Sequence, residues 1–131
     1  MSTNFHTQNN TPPPTILPVV EKTKAAYREW QRIAAHLSKP FRFGLGARIE
    51  TLFIDILEGE FRATFAKLEE KQKNLTDTIA KYDLIKFFLQ ISWENEHLKE
   101  KTYIHLSEKL NGIGKELSGW KKFIDNKNSR A

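Results

Sequence analysis

Apolar residues recur in steps of three and four along most of this chain, a rhythm that predicts helices. From Pro18 to Leu37 the positions are Val20, Thr23, Tyr27, Trp30, Ala34 and Leu37, a heptad-like seam on one side. Pro18 suits an early helical turn. Ser38-Lys39-Pro40 ends this first helix, because proline disfavours helical geometry in the residue before it. After the link Lys39 to Gly44, the second helix carries Leu45, Ile49, Leu52, Ile56, Gly59, Ala63 and Ala66. A second row, Phe53, Leu57, Phe61, Phe65 and Leu68, runs beside them. Glu69 to Asp77 reads as a polar turn, with Thr76 or Thr78 as the cap of the third helix.

That third helix contains the run Leu84 to Trp93, LIKFFLQISW, and fades near His97 to Lys99. Periodicity alone leaves so short an apolar run open between a strand and a helix. Its flanks keep helical spacing (Leu75, Ile79, Tyr82, then Asn95 and Leu98), so a helix is expected. It is too short to cross a bilayer, and a helix apolar all round has to be covered all round. The fourth helix, about Lys101 to Ile124, has the cleanest seam: Tyr103, Leu106, Leu110, Ile113, Leu117, Trp120 and Ile124. Gly112, Gly114 and Gly119 interrupt it, marking either close approach by a neighbour or a weak helix end.

Four helices with short links predict an all-α fold, an antiparallel up-down-up-down four-helix bundle over residues 18–124. Residues 1–17 contain Thr-Pro-Pro-Pro-Thr (11–15) and read as a disordered or extended arm, and 125–131 as a frayed tail. The double row on the second helix and the all-round third exceed what one bundle core needs. They predict a homo-oligomer.

Composition narrows the picture further. The chain has 131 residues, 28% charged and 39% hydrophobic, which fits one packed domain. It lacks cysteine, which excludes disulfides, thiolate metal sites and cysteine nucleophiles and leaves the cytoplasm as the default compartment. Neither a signal peptide nor a transmembrane run is evident, so no membrane partner is expected.

The formal net charge is +5, and it is unevenly spread. Seven bases face three acids from Pro18 to Glu50, seven face ten from Thr51 to Glu100, and seven face three beyond that. In the expected topology the first and fourth helices are neighbours, so the two basic ends merge into one face. Its candidates are Lys24, Arg28 and Arg32 on the first helix and Lys101, Lys115 and Lys122 on the fourth. Lys39, Arg42 and Arg48 border the link. Such a face suits an anionic partner, nucleic acid before membrane surface, although these residues also read as ordinary solvated charges.

Candidate chemistry is sparse. Glu94-x-x-His97 has the spacing of a di-iron ligand pair, but no second Glu-x-x-His accompanies it, so an exposed helix end is expected. No serine sits in a Gly-x-Ser-x-Gly setting. Gly44-Leu45-Gly46 opens a helix where a phosphate could rest, yet the Gly-Lys-Ser/Thr ending of a phosphate-binding loop is missing. No catalytic residue, metal or cofactor is expected. Among the aromatics, Phe41 and Phe43 beside Lys39 and Arg42 are the pair open to base stacking.

Three segments carry a family resemblance: KPFRFGLGARIETLFIDILEG (Lys39 to Gly59), YDLIKFFLQISWE (Tyr82 to Glu94) and YIHLSEKLNGIGKELSGWKKF (Tyr103 to Phe123). Their most telling pieces are Arg42-x-x-Leu45-Gly46-x-Arg48-Ile49-Glu50 and Leu106-Ser107-Glu108 through Ile113-Gly114 to Gly119-Trp120. Together they resemble the Avd-like accessory proteins of diversity-generating retroelements, relatives of four-helix-bundle proteins encoded in ribosomal-RNA intervening sequences. The resemblance spans residues 18–124. It implies a barrel-like homopentamer that binds RNA and DNA and the retroelement's reverse transcriptase, supporting mutagenic copying of a template RNA. The alternative is a helical homo-oligomeric scaffold with no nucleic-acid role.

Overall fold

The computed structural model describes residues 16–130, with side chains from Pro18 onward, so most of the expected N-terminal arm lies outside the described residues. Helix α1 spans Ile16–Ala34, starting two residues before the expected Pro18. Val19, Thr23, Ala26 and Trp30 are its fully buried residues. Their spacing of three and four places them on one side. Val20, Tyr27 and Ala34 of the expected seam pack half-buried beside them.

The link after α1 contains a helix of its own, α2 (Lys39–Phe43). The Ser38 hydroxyl accepts the Phe41 N–H at 3.4 Å. Pro40 sits at an early position, where its missing N–H has no helical partner to lose. Helix α1 ends at Ala34, three residues before the expected Leu37, and Lys39 before Pro40 is itself helical, so Pro40 opens α2 and does not stop α1.

Helix α3 (Leu45–Phe65) and helix α4 (Leu68–Glu94) are separated only by Ala66 and Lys67, both extended. The polar turn expected over Glu69 to Asp77 is thus corrected: these residues are helical. That stretch has no glycine or proline, and its acids Glu69 and Glu70 fall in a first turn, where the helix dipole favours them. Leu75 turns inward and is fully buried. The Lys71 ammonium donates to the carbonyls of Ala63 and Thr64 at 2.7 and 2.9 Å, capping orphan acceptors at the end of α3.

Helix α4 closes with Glu96 in the left-handed region (φ 63°). Around it His97 N–H donates to the Ser92 carbonyl and Glu96 N–H to that of Trp93. This pair is the Schellman pattern, with glutamate where glycine is usual. Helix α5 runs Glu100–Arg130, past the expected end at Ile124. Its last turns are tied to α4: Gln72 donates to Asp125 at 2.7 Å, and Asn128 donates to Gln72 at 2.6 Å.

The fold is all-helical. Among the described residues there is no strand, and no helix is long and apolar enough to cross a membrane. Helix α3 packs on α4, α4 on α5, α5 on α1 and α1 on α3, with α2 against α3. The core is built from Trp30, Phe53, Ile56, Ile85, Leu89, Leu106, Leu110, Ile113 and Leu117. Within Leu84 to Trp93, Ile85, Leu89 and Ser92 point inward, Leu84 and Phe88 are half-buried, and Phe87 is exposed. Of the second row on α3, Phe53 is core, its ring 5.8 Å from that of Tyr27, whereas Phe61 and Phe65 are exposed.

Three of the helix glycines are close-approach points, Gly46 against the Phe41 carbonyl and ring being the first. A Cβ at Gly59 would collide with Thr78, and one at Gly114 with the Tyr82 hydroxyl. That hydroxyl donates to the Leu110 carbonyl at 2.6 Å. Gly112 and Gly119 face open space, so only Gly114 of the α5 trio reflects a neighbour within the chain.

Candidate nucleic-acid interface

The cations on α1 form a ridge opposite its buried stripe. Lys24, Arg28 and Arg32 are all exposed. Lys24 pairs with Glu21 at 3.1 Å and Arg32 with Glu29 at 2.7 Å. Among the described ion pairs Arg28 has no partner, and half a helical turn separates it from Ala26 and Trp30. Exposed pairs of this kind contribute about 0–1 kcal/mol each. Breaking either pair therefore costs little.

The fourth-helix candidates Lys101, Lys115 and Lys122 follow one another at multiples of seven along the outer line of α5, and Lys101 and Lys115 border different grooves. Lys101 lines the groove between α1 and α5 with Glu29, Ile33, Ile104, His105 and Glu108. Lys115 lies instead on the α4 side, in a groove with Tyr82, Asp83, Lys86 and Asn111. Lys122, seven residues on, shares that side. Acids also interleave along the α1–α5 seam. Glu116 pairs with Lys22, and Glu29 lies 3.7 Å from the His105 imidazole. The structure thus groups Lys24, Arg28 and Arg32, leaves Lys101 at their flank, and sets Lys115 beside Lys86, with Lys122 two turns further along α5. The outer line of α5 drifts by about 20° per heptad, which carries it from the α1 groove at Lys101 toward the α4 groove at Lys115.

A third group surrounds α2. Arg42 lines a cleft of about 460 Å³ with Gln31, Ala35, Ala47, Glu50 and Thr51, so it sits against the C-terminal half of α1. Its Nε is buried without a hydrogen-bond partner. Lys39 and Arg48 are exposed. Arg48 precedes Asp55 by seven residues and so shares its side of α3, toward the α4 groove that Asp55, Gly59 and Lys81 line. The aromatic pair is split: Phe41 is core, between Trp30 (6.2 Å) and His97 (4.8 Å), whereas Phe43 is 80% exposed. Phe43 alone is available for stacking.

Glu94 and His97 are both exposed, as expected. Among the described residues no group of three acidic, histidine or cysteine side chains could hold a metal.

Sequence reasoning passed over one titratable group, Glu60, which is fully buried. Its position was readable: it follows Ile56 by four and precedes Ala63 by three, on the α3 core stripe. The Thr23 hydroxyl lies 2.9 Å from the Val19 carbonyl and 2.7 Å from Glu60 Oε2. One hydroxyl hydrogen serves only one acceptor. With it directed at Val19, a protonated Glu60 completes the set by donating to Thr23. Burial pushes the Glu60 pKa up to about 8 and the Glu116 charge adds to the rise; only a Thr23 hydroxyl turned to donate to the carboxylate opposes it. Glu60 is a neutral core group at pH 7, outside the cationic surface.

No protein family, curated protein or solved structure matches this chain.

Proposed function

We propose that this protein is a non-catalytic nucleic-acid-binding accessory of a retroelement reverse transcriptase, supporting mutagenic copying of a template RNA in the cytoplasm. In this reading the four long helices form an antiparallel up-down-up-down bundle of the kind the Avd-like resemblance implies. Phosphates lie along the α1 ridge, from Lys24 through Arg28 and Arg32, and turn onto Lys39 and Arg42 at α2. The observation that carries the reading is Arg28: an exposed arginine at the outermost line of α1, without an acid partner among the described residues and flanked by two more cations. A guanidinium there meets phosphate oxygens with two parallel hydrogen bonds. Phe43 offers a ring to an unpaired base nearby. The bases themselves are not read, because these contacts reach only the backbone.

Assembly belongs to the same proposal. Exposed Phe61, Phe65 and Phe87 are apolar side chains that a second copy covers in a homo-oligomer, a pentamer by the family resemblance. Repetition of the α1 ridge around a ring then sums modest contacts on one polyanion. The test is a salt titration of binding to single-stranded RNA and DNA, paired with capture from the native cell. A steep fall of affinity with salt, together with recovery of a reverse transcriptase and its RNA, supports the reading. An oligomer without nucleic-acid affinity leaves the scaffold alternative.

A further inference from the structure

The carboxylate of Glu29 lies between two nitrogen partners on different helices. Arg32, on α1 itself, donates to its Oε1 at 2.7 Å. The Nε2 atom of His105, across the seam on α5, lies 3.7 Å from its Oε2. A guanidinium keeps its charge at any working pH, whereas an imidazole is the side chain that gains one between about pH 8 and pH 5. Glu29 is also the most enclosed of the three side chains, 23% exposed against 67% for Arg32 and 54% for His105. It borders the α1–α5 groove with Ile33 and Ile104, so its pairs are screened less than fully exposed ones.

We propose that Glu29 and His105 together position Arg32, and that the charge of His105 decides whether Arg32 is available to a polyanion. This role rests on the reading of the α1 ridge as the nucleic-acid site. With His105 neutral, the carboxylate holds the Arg32 fork and cancels its charge. A proton taken from solvent by His105 gives Glu29 a second cation, and the carboxylate turns across the seam to α5. Arg32 then presents its fork to phosphate beside Arg28. Affinity for the polyanion therefore rises as pH falls. Other charges share the His105 side of α5. Glu108, three residues on, is the rival acceptor for the protonated ring, and Lys101 and Lys109, four residues to either side, carry the same charge as that ring. On α1, His36 lies seven residues beyond Glu29 and adds a pH response of its own that does not pass through Glu29.

The test titrates the full chain with a single-stranded oligouridine, whose charge is constant over this range, at pH 8 and at pH 5. In about 0.1 M salt, one released phosphate contact adds about 0.7 to the salt slope and so roughly fivefold to the affinity. The parent should therefore gain roughly fivefold more on acidification than Glu29→Gln, Arg32→Gln or His105→Gln, and those three should share one smaller gain. If Glu29→Gln or Arg32→Gln keeps the full gain of the parent, His105 acts by its own charge alone and the proposal is overturned. Denaturation midpoints at pH 5 read the same pivot without nucleic acid. The shifts caused by Glu29→Gln and His105→Gln should be non-additive in the double variant, and additive shifts also overturn the proposal. A parent that binds no oligouridine at either pH overturns the proposed function itself, and this role with it.

Discussion

The seam between α3 and α4 and the seam between α1 and α5 hold opposite kinds of surface. At the first, two residues join the helices, and Gly59 lets the backbone of α3 come up against Thr78. At the second, the partners are far apart in sequence and meet across a groove of about 420 Å³ edged by Glu29, Lys101, His105 and Glu108. Charge pairs cross it, Lys22 to Glu116 and His105 to Glu29, but partly solvated pairs of this kind add little stability. The buried stripe of Val19, Thr23, Ala26 and Trp30 is what holds α1 in place. The contrast is that the first seam closes to backbone contact at Gly59, although charged residues rim it there, whereas the second is bridged by charge pairs that contribute little to the fold.

The largest effect should come from the layer common to both seams. Leu110→Asp places a carboxylate at a fully buried site on α5. It should abolish the cooperative melt, because an unpaired buried charge costs as much as a domain of about 5–15 kcal/mol has to lose. Circular dichroism against temperature checks this. A variant that melts like the parent would mean that Leu110 is not core.

Glu60 gives the next largest effect, with a definite sign. Its folded pKa of about 8 lies above the ordinary value of 4.5, so the folded state holds its proton more tightly than the unfolded chain. The stability this provides is complete below about pH 4.5 and is lost as pH rises through about 8. Glu60→Gln keeps the shape of the protonated acid and a donor toward Thr23. The variant should flatten the decline across that window and exceed the parent at pH 9 by on the order of a few kcal/mol. Denaturant melts at pH 5, 7 and 9 read the difference. Parallel pH profiles for parent and variant would show that Glu60 is charged in the folded state.

The two kinds of seam separate most sharply at their glycines. Gly59→Ala forces a methyl against Thr78 and should cost about 1–3 kcal/mol, part of it recovered by adding Thr78→Ala. Gly119→Ala meets no neighbour and should stabilise α5 by about 0.5–1 kcal/mol through helix propensity alone. Midpoint shifts of opposite sign sharpen the contrast. Destabilisation at both sites would mean that a partner lies over Gly119 as well.

Much of this architecture was legible in the pattern of apolar residues. The α5 seam from Tyr103 to Ile124 is buried or half-buried throughout, whereas α1 stops at Ala34, short of the Pro40 that was expected to end it. Polarity was misleading where it met helix propensity. Glu69 to Asp77 looks like a turn by composition, but it contains no residue that breaks a helix, and Leu75 anchors it. Similarly, the tail after Ile124 is polar yet stays helical, through side-chain bonds from Gln72 to Asp125 and Asn128 that no local pattern announces. The cationic site was legible by residue type and only partly by place. Arg28 sits outward as its spacing from Trp30 requires, whereas Lys115 borders the α4 groove, because the heptad line drifts by about 20° every seven residues along a straight helix. Glu60 was hidden for a different reason: a charged residue type is expected outside, and only its neutral form fits the core.

Charge reversal on the α1 ridge is the most direct test of nucleic-acid binding. Arg28→Glu with Arg32→Glu alters two exposed side chains, so the melt and the oligomer size should match the parent. RNA and DNA affinity should fall together, without preference for sequence. On a single strand, the slope of log affinity against log salt should become shallower by roughly 0.7 for each phosphate that the ridge no longer neutralises. Affinity and slope both unchanged from the parent would contradict the account and take nucleic acid off the α1 ridge.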